Sequence, residues 1–193
     1  MALLIEPLLR NVDLTERQRD VCLRGIAQMA MADGVRDQRE LAFLAKFVDE
    51  FFEGADPTNK AFDKPVTDED LAMLDSDRVR DVFVAYLYLT AYMDEDFSEP
   101  EVALATRLGD QLVGNERREE ILEAVRQFLY RRTVFAFAFK NNRLDEDFAR
   151  AASARFGVPI ETALKINASV FNAVMALKAP TDDATNQPTE GTN

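Results

Sequence analysis

An ungapped internal repeat at a spacing of 61 residues constrains this chain more than any other feature. Residues 15–54 laid on residues 76–115 coincide at nine of forty positions, where unrelated segments of ordinary composition share about two or three. The coincidences include Arg17/Arg78, Arg19/Arg80, Asp20/Asp81, Val21/Val82, Asp33/Asp94, Glu40/Glu101 and Asp49/Asp110, and Thr15/Ser76 keeps a hydroxyl where each copy is expected to begin. Apolar positions hold the same register, as in Ile26/Leu87, Phe47/Leu108 and Phe51/Leu112. A chain built twice from one helical hairpin buries its core by packing the two hairpins about a pseudo-twofold axis.

The 3.6-residue period identifies the unit as helical. From Asp13, the spacing of Leu14, Val21, Cys22, Ile26 and Met29 predicts a first helix, with Asp13 and Glu16 resembling a capping box. Gly34 is expected just past its end. Asp37 or a neighbour caps the next helix, with Glu40 at its third position and Leu41, Leu44, Phe47, Val48 and Phe51 on its core face. A Gly/Pro-bearing linker, EGADPTNKAFDKPV, leads to a short capped helix in TDEDLAML. Ser76 then opens a helix with Val79, Val82, Phe83, Tyr86 and Leu87 inward, and Ser98, with Glu101 three places on, opens another that Gly114 stops.

A longer helix follows Asn115, with Ile121, Leu122, Val125, Phe128, Leu129 and Phe135 on its inward stripe. Phe135, Phe137 and Phe139 alternate as in a strand, but the surrounding period favours a helix buried on more than one side, with these rings in the core. DEDFARAASARFG and PIETALKINASVFNAVMALK complete the set, the latter expected to carry Ile160, Leu164, Phe171 and Val174 inward from a first turn at Pro159. The expected fold is therefore all-α, a duplicated helical-hairpin bundle of seven main helices and one short one. Residues 1–12 form an apolar N-terminal arm expected to cover the bundle's own groove, residues 13–179 a single domain with C-terminal helices over 115–179, and residues 180–193 a disordered tail.

Charge and composition then exclude function classes. A net charge of −12 without a dense basic run speaks against nucleic acid, whose affinity depends on neutralising phosphates, and suits cations or basic protein surfaces. With no histidine in the sequence, Ser-His-Asp and Cys-His nucleophiles and histidine-ligated zinc have no material in this chain. Cys22, the single cysteine, falls in an apolar helical pattern and reads as a buried, inert thiol. Glu6 and Pro7 interrupt the apolar opening MALLIEPLLR, which does not read as a secretory signal, and no apolar run reaches the ~20 residues of a membrane span, so the cytoplasm is the expected compartment.

The acids at the helix junctions carry the remaining chemistry. Asp33 and Asp94 sit where free carbonyls already concentrate negative potential, a cost of about 0.3–1 kcal/mol when exposed. Either the carboxylates cap the following helix or a hard cation is held between carboxylates and carbonyls. Octet Asp33 to Glu40 balances Asp33, Asp37 and Glu40 against Arg36 and Arg39, whereas octet Asp94 to Glu101 holds Asp94, Glu95, Asp96, Glu99 and Glu101 and no base. Asp94, Asp96 and Ser98 match the first, third and fifth places of a calcium loop, yet Glu101 arrives four positions early and the sixth-place Gly is missing, so this is no EF-hand. The candidate ligand set for calcium, magnesium or manganese is thus Asp94, Asp96, Ser98 and Glu101, with Asp33, Asp37 and Glu40 in the other copy. A fainter third junction has Asn141 and Asp145 in corresponding places and Phe148 in place of the Glu.

The run Ala-Asp-Gly, a capping Ser or Asp, then Glu, joining two apolar helices, resembles the TerB-like proteins associated with tellurite resistance, a family that includes the amino-terminal domain of the membrane co-chaperone DjlA. The resemblance spans about residues 13–156. It implies a duplicated all-helical bundle, and it places the family's acidic positions on Asp33, Glu40, Asp94 and Glu101, which are suggested to bind metal. Arg36 stands where the family is usually apolar, and Glu95 replaces the Gly in the second copy. The function so implied is a non-enzymatic module of bacterial stress response or protein interaction, tuned by a divalent cation. A metal-free adaptor with an apolar groove for a partner helix is the alternative, a carboxylate-dependent hydrolase the remote one, and homodimerisation stays open.

Overall fold

The computed structural model describes residues 5–10, 12–32, 64–92 and 98–178, together with Ala45, Asp49 and Phe52. All regular structure among them is helical, as expected: α1 (Ile5–Arg10), α2 (Glu16–Met29), α3 (Asp68–Ala72), α4 (Asp77–Ala91), α5 (Glu99–Val113), α6 (Asn115–Asn141), α7 (Glu146–Phe156) and α8 (Ile160–Lys178). The chain divides into two compact units, Met1–Phe128 and Leu129–Asn193.

In the first unit α4 is the central element, and α1, α2 and α5 pack against it. Its Val82, Phe83, Val84, Ala85 and Leu87 have no exposed surface, and each large side chain so buried contributes about 1.5–3 kcal/mol. Such a helix, apolar nearly all round, is stable only inside a shell of other helices. Gly25 lets α2 approach closely: a Cβ there would lie 2.7 Å from Phe83 Cε2 and 2.9 Å from Cζ. Within the N-terminal arm, Ile5–Arg10 is helical, and its Ile5, Leu8 and Leu9 are buried in the first unit. Pro7 falls in the first turn of α1, where its missing N–H costs nothing.

Helix starts follow side-chain oxygens. Ser76 caps α4, accepting from Val79 N, and Thr67 and Asp70 form a reciprocal box at α3. Of the two starts the sequence offered for α2, the hydroxyl of Thr15 is the cap and the Asp13/Glu16 box is not: Thr15 Oγ1 accepts from Gln18 N at 3.3 Å while Gln18 Oε1 accepts from Thr15 N at 3.0 Å. Both pairs have the spacing of a capping box, and tertiary bonds decide between them. The buried Gln18 amide donates to Met73 O at 3.2 Å and to Asp75 Oδ1 at 3.0 Å. With Thr15 as cap, α2 and α4 begin at Glu16 and Asp77, and the capping residues Thr15 and Ser76 stand at the repeat spacing.

The second unit is the end of α6 with α7 and α8. Asp145 caps α7, and Gly157, at φ 64°, ends it in the left-handed conformation that favours glycine. Phe148, at the place that Glu101 holds in α5, stacks its ring on Phe137 at 4.0 Å. The phenylalanine run is helical, but none of its three rings is fully buried as expected: Phe135 and Phe137 are half-buried, and Phe139 is 46% exposed under the Lys178 ammonium. The inward stripe of α8 also differs from the expected one. Ala163, Ile166, Val170 and Val174 are buried, whereas Ile160, Leu164 and Phe171 are 56%, 61% and 41% exposed. The helix has two adjacent apolar stripes, and only that of the smaller side chains faces inward, where small Ala163 lies with Ala149 and Ala152 of the packed helix α7 in the core.

Candidate functional site

Asp33, Asp37, Glu40, Asp94 and Asp96 lie outside the described residues. Of the candidate ligands, Ser98 and Glu101 are described, and they form the N-terminal capping box of α5. Glu101 Oε2 accepts from Ser98 N and from Ser98 Oγ, both at 2.9 Å, and Glu101 N donates to Ser98 Oγ at 3.4 Å. Glu101 is 5% exposed. The same reciprocal device stands at Thr15/Gln18 and Thr67/Asp70, neither of which belongs to an acidic octet. Satisfying the orphan amides of a helix start therefore accounts for the place of Glu101 without a cation. Among the described residues no group of three or more acidic or cysteine side chains is gathered as a metal would need.

Arginines engage Asp70, Asp81 and Asp110 in the first unit. Arg24 donates to Asp70 at 2.8 and 2.5 Å in a fork and to Asp20 at 2.9 Å. This guanidinium, with the Thr67 backbone and hydroxyl, holds the Asp70 carboxyl well below the usual carboxylate range, against an opposing push from burial. Arg117 forks onto Asp81 at 3.2 and 2.5 Å, and Arg118 donates to Asp110 Oδ1 at 2.6 Å and to Tyr88 Oη at 3.3 Å. Identical residues of the repeat thus have different partners: Asp20 stays within α2, and Asp81 reaches α6. The Cys22 thiol is buried, and burial pushes its pKa far up, so it is the inert thiol the sequence suggested.

Among the described residues, a concave feature lies in the second unit. A groove of about 640 Å³ is walled by Leu144, Ala149, Ile160 and Leu164, with Tyr130 and Asn167 at its floor and Glu146 and Arg150 at its rim. Tyr130 Oη donates to Asn167 Oδ1 at 2.7 Å, and burial pushes the phenol pKa up, so it stays a donor. Arg150 donates to Glu146 at 2.8 Å across one exposed turn, a pair worth little to stability. The chemistry offered is apolar contact with a polar floor and a mixed-charge rim, the pattern of a surface that receives an apolar helix or chain. None of these residues stands among the acids that the sequence singled out. The available signal was slight: Tyr130 beside Leu129 on α6, Asn167 beside Ile166 on α8, and the i, i+4 pair Glu146/Arg150. No family model, no curated protein and no solved structure matches the chain.

Proposed function

We propose that this chain is a non-enzymatic helical interaction module of the TerB-like kind, whose second unit docks an apolar helix. The observation that carries the reading is the outward apolar side of α8. Ile160 and Leu164 wall the groove and remain more than half exposed, and Phe171 and Met175, 41% and 51% exposed, continue the same side of the helix. Large apolar side chains left to water in one row cost solubility without adding to the fold, and such rows mark association surfaces. The acids fit this reading as structural parts: Glu101 serves a cap, and Asp70 and Asp81 hold arginines. No cation is needed to explain the residues described.

Site-specific photo-crosslinking tests the proposal. A benzophenone side chain placed at Leu164, in cells producing the chain, is expected to give a discrete adduct, whereas the same group at the exposed Ser169, across the helix, gives none. A ladder of nonspecific adducts from both positions, or none from either, would count against a docking surface.

A further inference from the structure

The outward stripe of α8 consists of Ile160, Leu164, Ala168, Phe171 and Met175, at steps of four, four, three and four residues. Read from its C-terminal end the steps are nearly the same. Laid antiparallel on a second copy, Ile160 therefore meets Met175, Leu164 meets Phe171, and the small, exposed Ala168 falls at the centre, where it lets two helix backbones approach to the usual 8–10 Å. Such a match is isologous, each residue meeting its counterpart's partner twice. We infer that the occupant of this face is the same face of a second copy of the chain, paired antiparallel about a twofold axis. The inference rests on the docking reading above and names its partner.

Charge supports the choice. With 35 acids against 23 bases, two copies repel across most of their surfaces. Helix α8 has a single acid, Glu161, and two bases, Lys165 and Lys178. Antiparallel pairing brings Glu161 at the start of one helix to the end of the other, where Lys178 stands, and it opposes the two helix macrodipoles. Lys178 stays bonded to Phe139 O and Asn142 Oδ1 within its own unit and presents its charge at the helix end. The residues that follow α8, PTDDATNQPTEGTN, include no large apolar side chain with which to cover the stripe.

Area sets the strength. Four large side chains about half exposed offer about 400 Å² per copy and about 800 Å² in all, which lies in the weak, transient class of interfaces rather than the obligate one. The dimer is therefore a weak, concentration-dependent one.

Sedimentation velocity of the full chain, from about 5 to about 500 µM, reads this directly. The wild type is expected to move from monomer toward dimer mass, and Leu164→Lys combined with Phe171→Lys to stay monomeric with unchanged helical circular dichroism. Independently, Ala168→Cys is expected to oxidise to a disulfide-linked dimer at least tenfold faster than Ser169→Cys. A wild type that is monomeric throughout overturns the self-pairing. A dimer that survives the double lysine change, or equal oxidation of the two cysteine variants, overturns it too by placing association elsewhere. The docking reading is judged separately: a crosslink from position 164 to a different protein would sustain that reading while excluding the second copy.

Discussion

Ser98 and Glu101 bond to each other in both directions at the start of α5, amide to carboxylate and amide to hydroxyl. This reciprocity separates capping from cation binding. A cap needs an acceptor oxygen, which an amide also supplies, so Glu101→Gln should cost less than about 0.5 kcal/mol and Glu101→Ala about 1 kcal/mol in denaturant unfolding. Millimolar calcium or manganese should leave the melting temperature of the wild type unchanged. An ion-dependent rise that Glu101→Gln abolishes would instead restore a cation to this junction.

The Arg24–Asp70 fork makes part of the stability pH-dependent. The Asp70 carboxyl is held below its ordinary pKa, so its contribution is complete above the unfolded carboxylate value of about 4 and is lost as pH falls below it. Asp70→Asn leaves Arg24 with Asp20 as its charged partner and should cost about 2–3 kcal/mol at neutral pH. The variant's unfolding free energy should also fall less steeply between about pH 4 and pH 2 than that of the wild type. Parallel acid dependence in the two proteins would show that the fork does not hold this charge.

Gly25→Ala tests the close approach of α2 and α4. The added methyl meets the Phe83 ring inside contact distance, and overpacking of this kind costs about 1–3 kcal/mol, against a gain of up to about 1 kcal/mol in helix propensity. A net loss is expected, and Phe83→Leu in the same protein should recover part of it, a non-additivity that a double-mutant cycle measures. A stabilised single variant would mean that the two helices are further apart than described.

The helices were legible because their period and their caps are local properties. Ser76, Ser98 and Gly114 mark the boundaries they were expected to mark, and Thr67 with Asp70 opens the short helix. Asp13/Glu16 and Thr15/Gln18 are overlapping boxes of the same spacing, so the sequence offers both, and the choice between them lies in bonds from Gln18 to residues 55 and 57 positions away. The inward side of α8 is legible only at Val174, for a related reason. Periodicity finds apolar residues on a helix but does not say which of two neighbouring stripes is covered, and the larger side chains of Ile160, Leu164 and Phe171 outweigh Ala163 and Val170 on hydrophobicity alone. The groove was illegible because Tyr130 and Asn167 are joined only by the fold. Recurrence and charge mark the acidic junctions, and neither distinguishes a cap from a ligand.

Leu164 and Ile166 stand two residues apart on α8, one 61% and the other 5% exposed, and the docking reading depends on that contrast. The most direct measurement is the unfolding free energy of alanine variants at a protein concentration low enough to exclude association. Leu164→Ala and Phe171→Ala are expected to change stability by no more than about 0.5–1 kcal/mol, and Ile166→Ala to cost about 2–4 kcal/mol. If Leu164→Ala and Phe171→Ala cost as much as Ile166→Ala, the stripe is packed within the folded chain and has no free face to offer a partner.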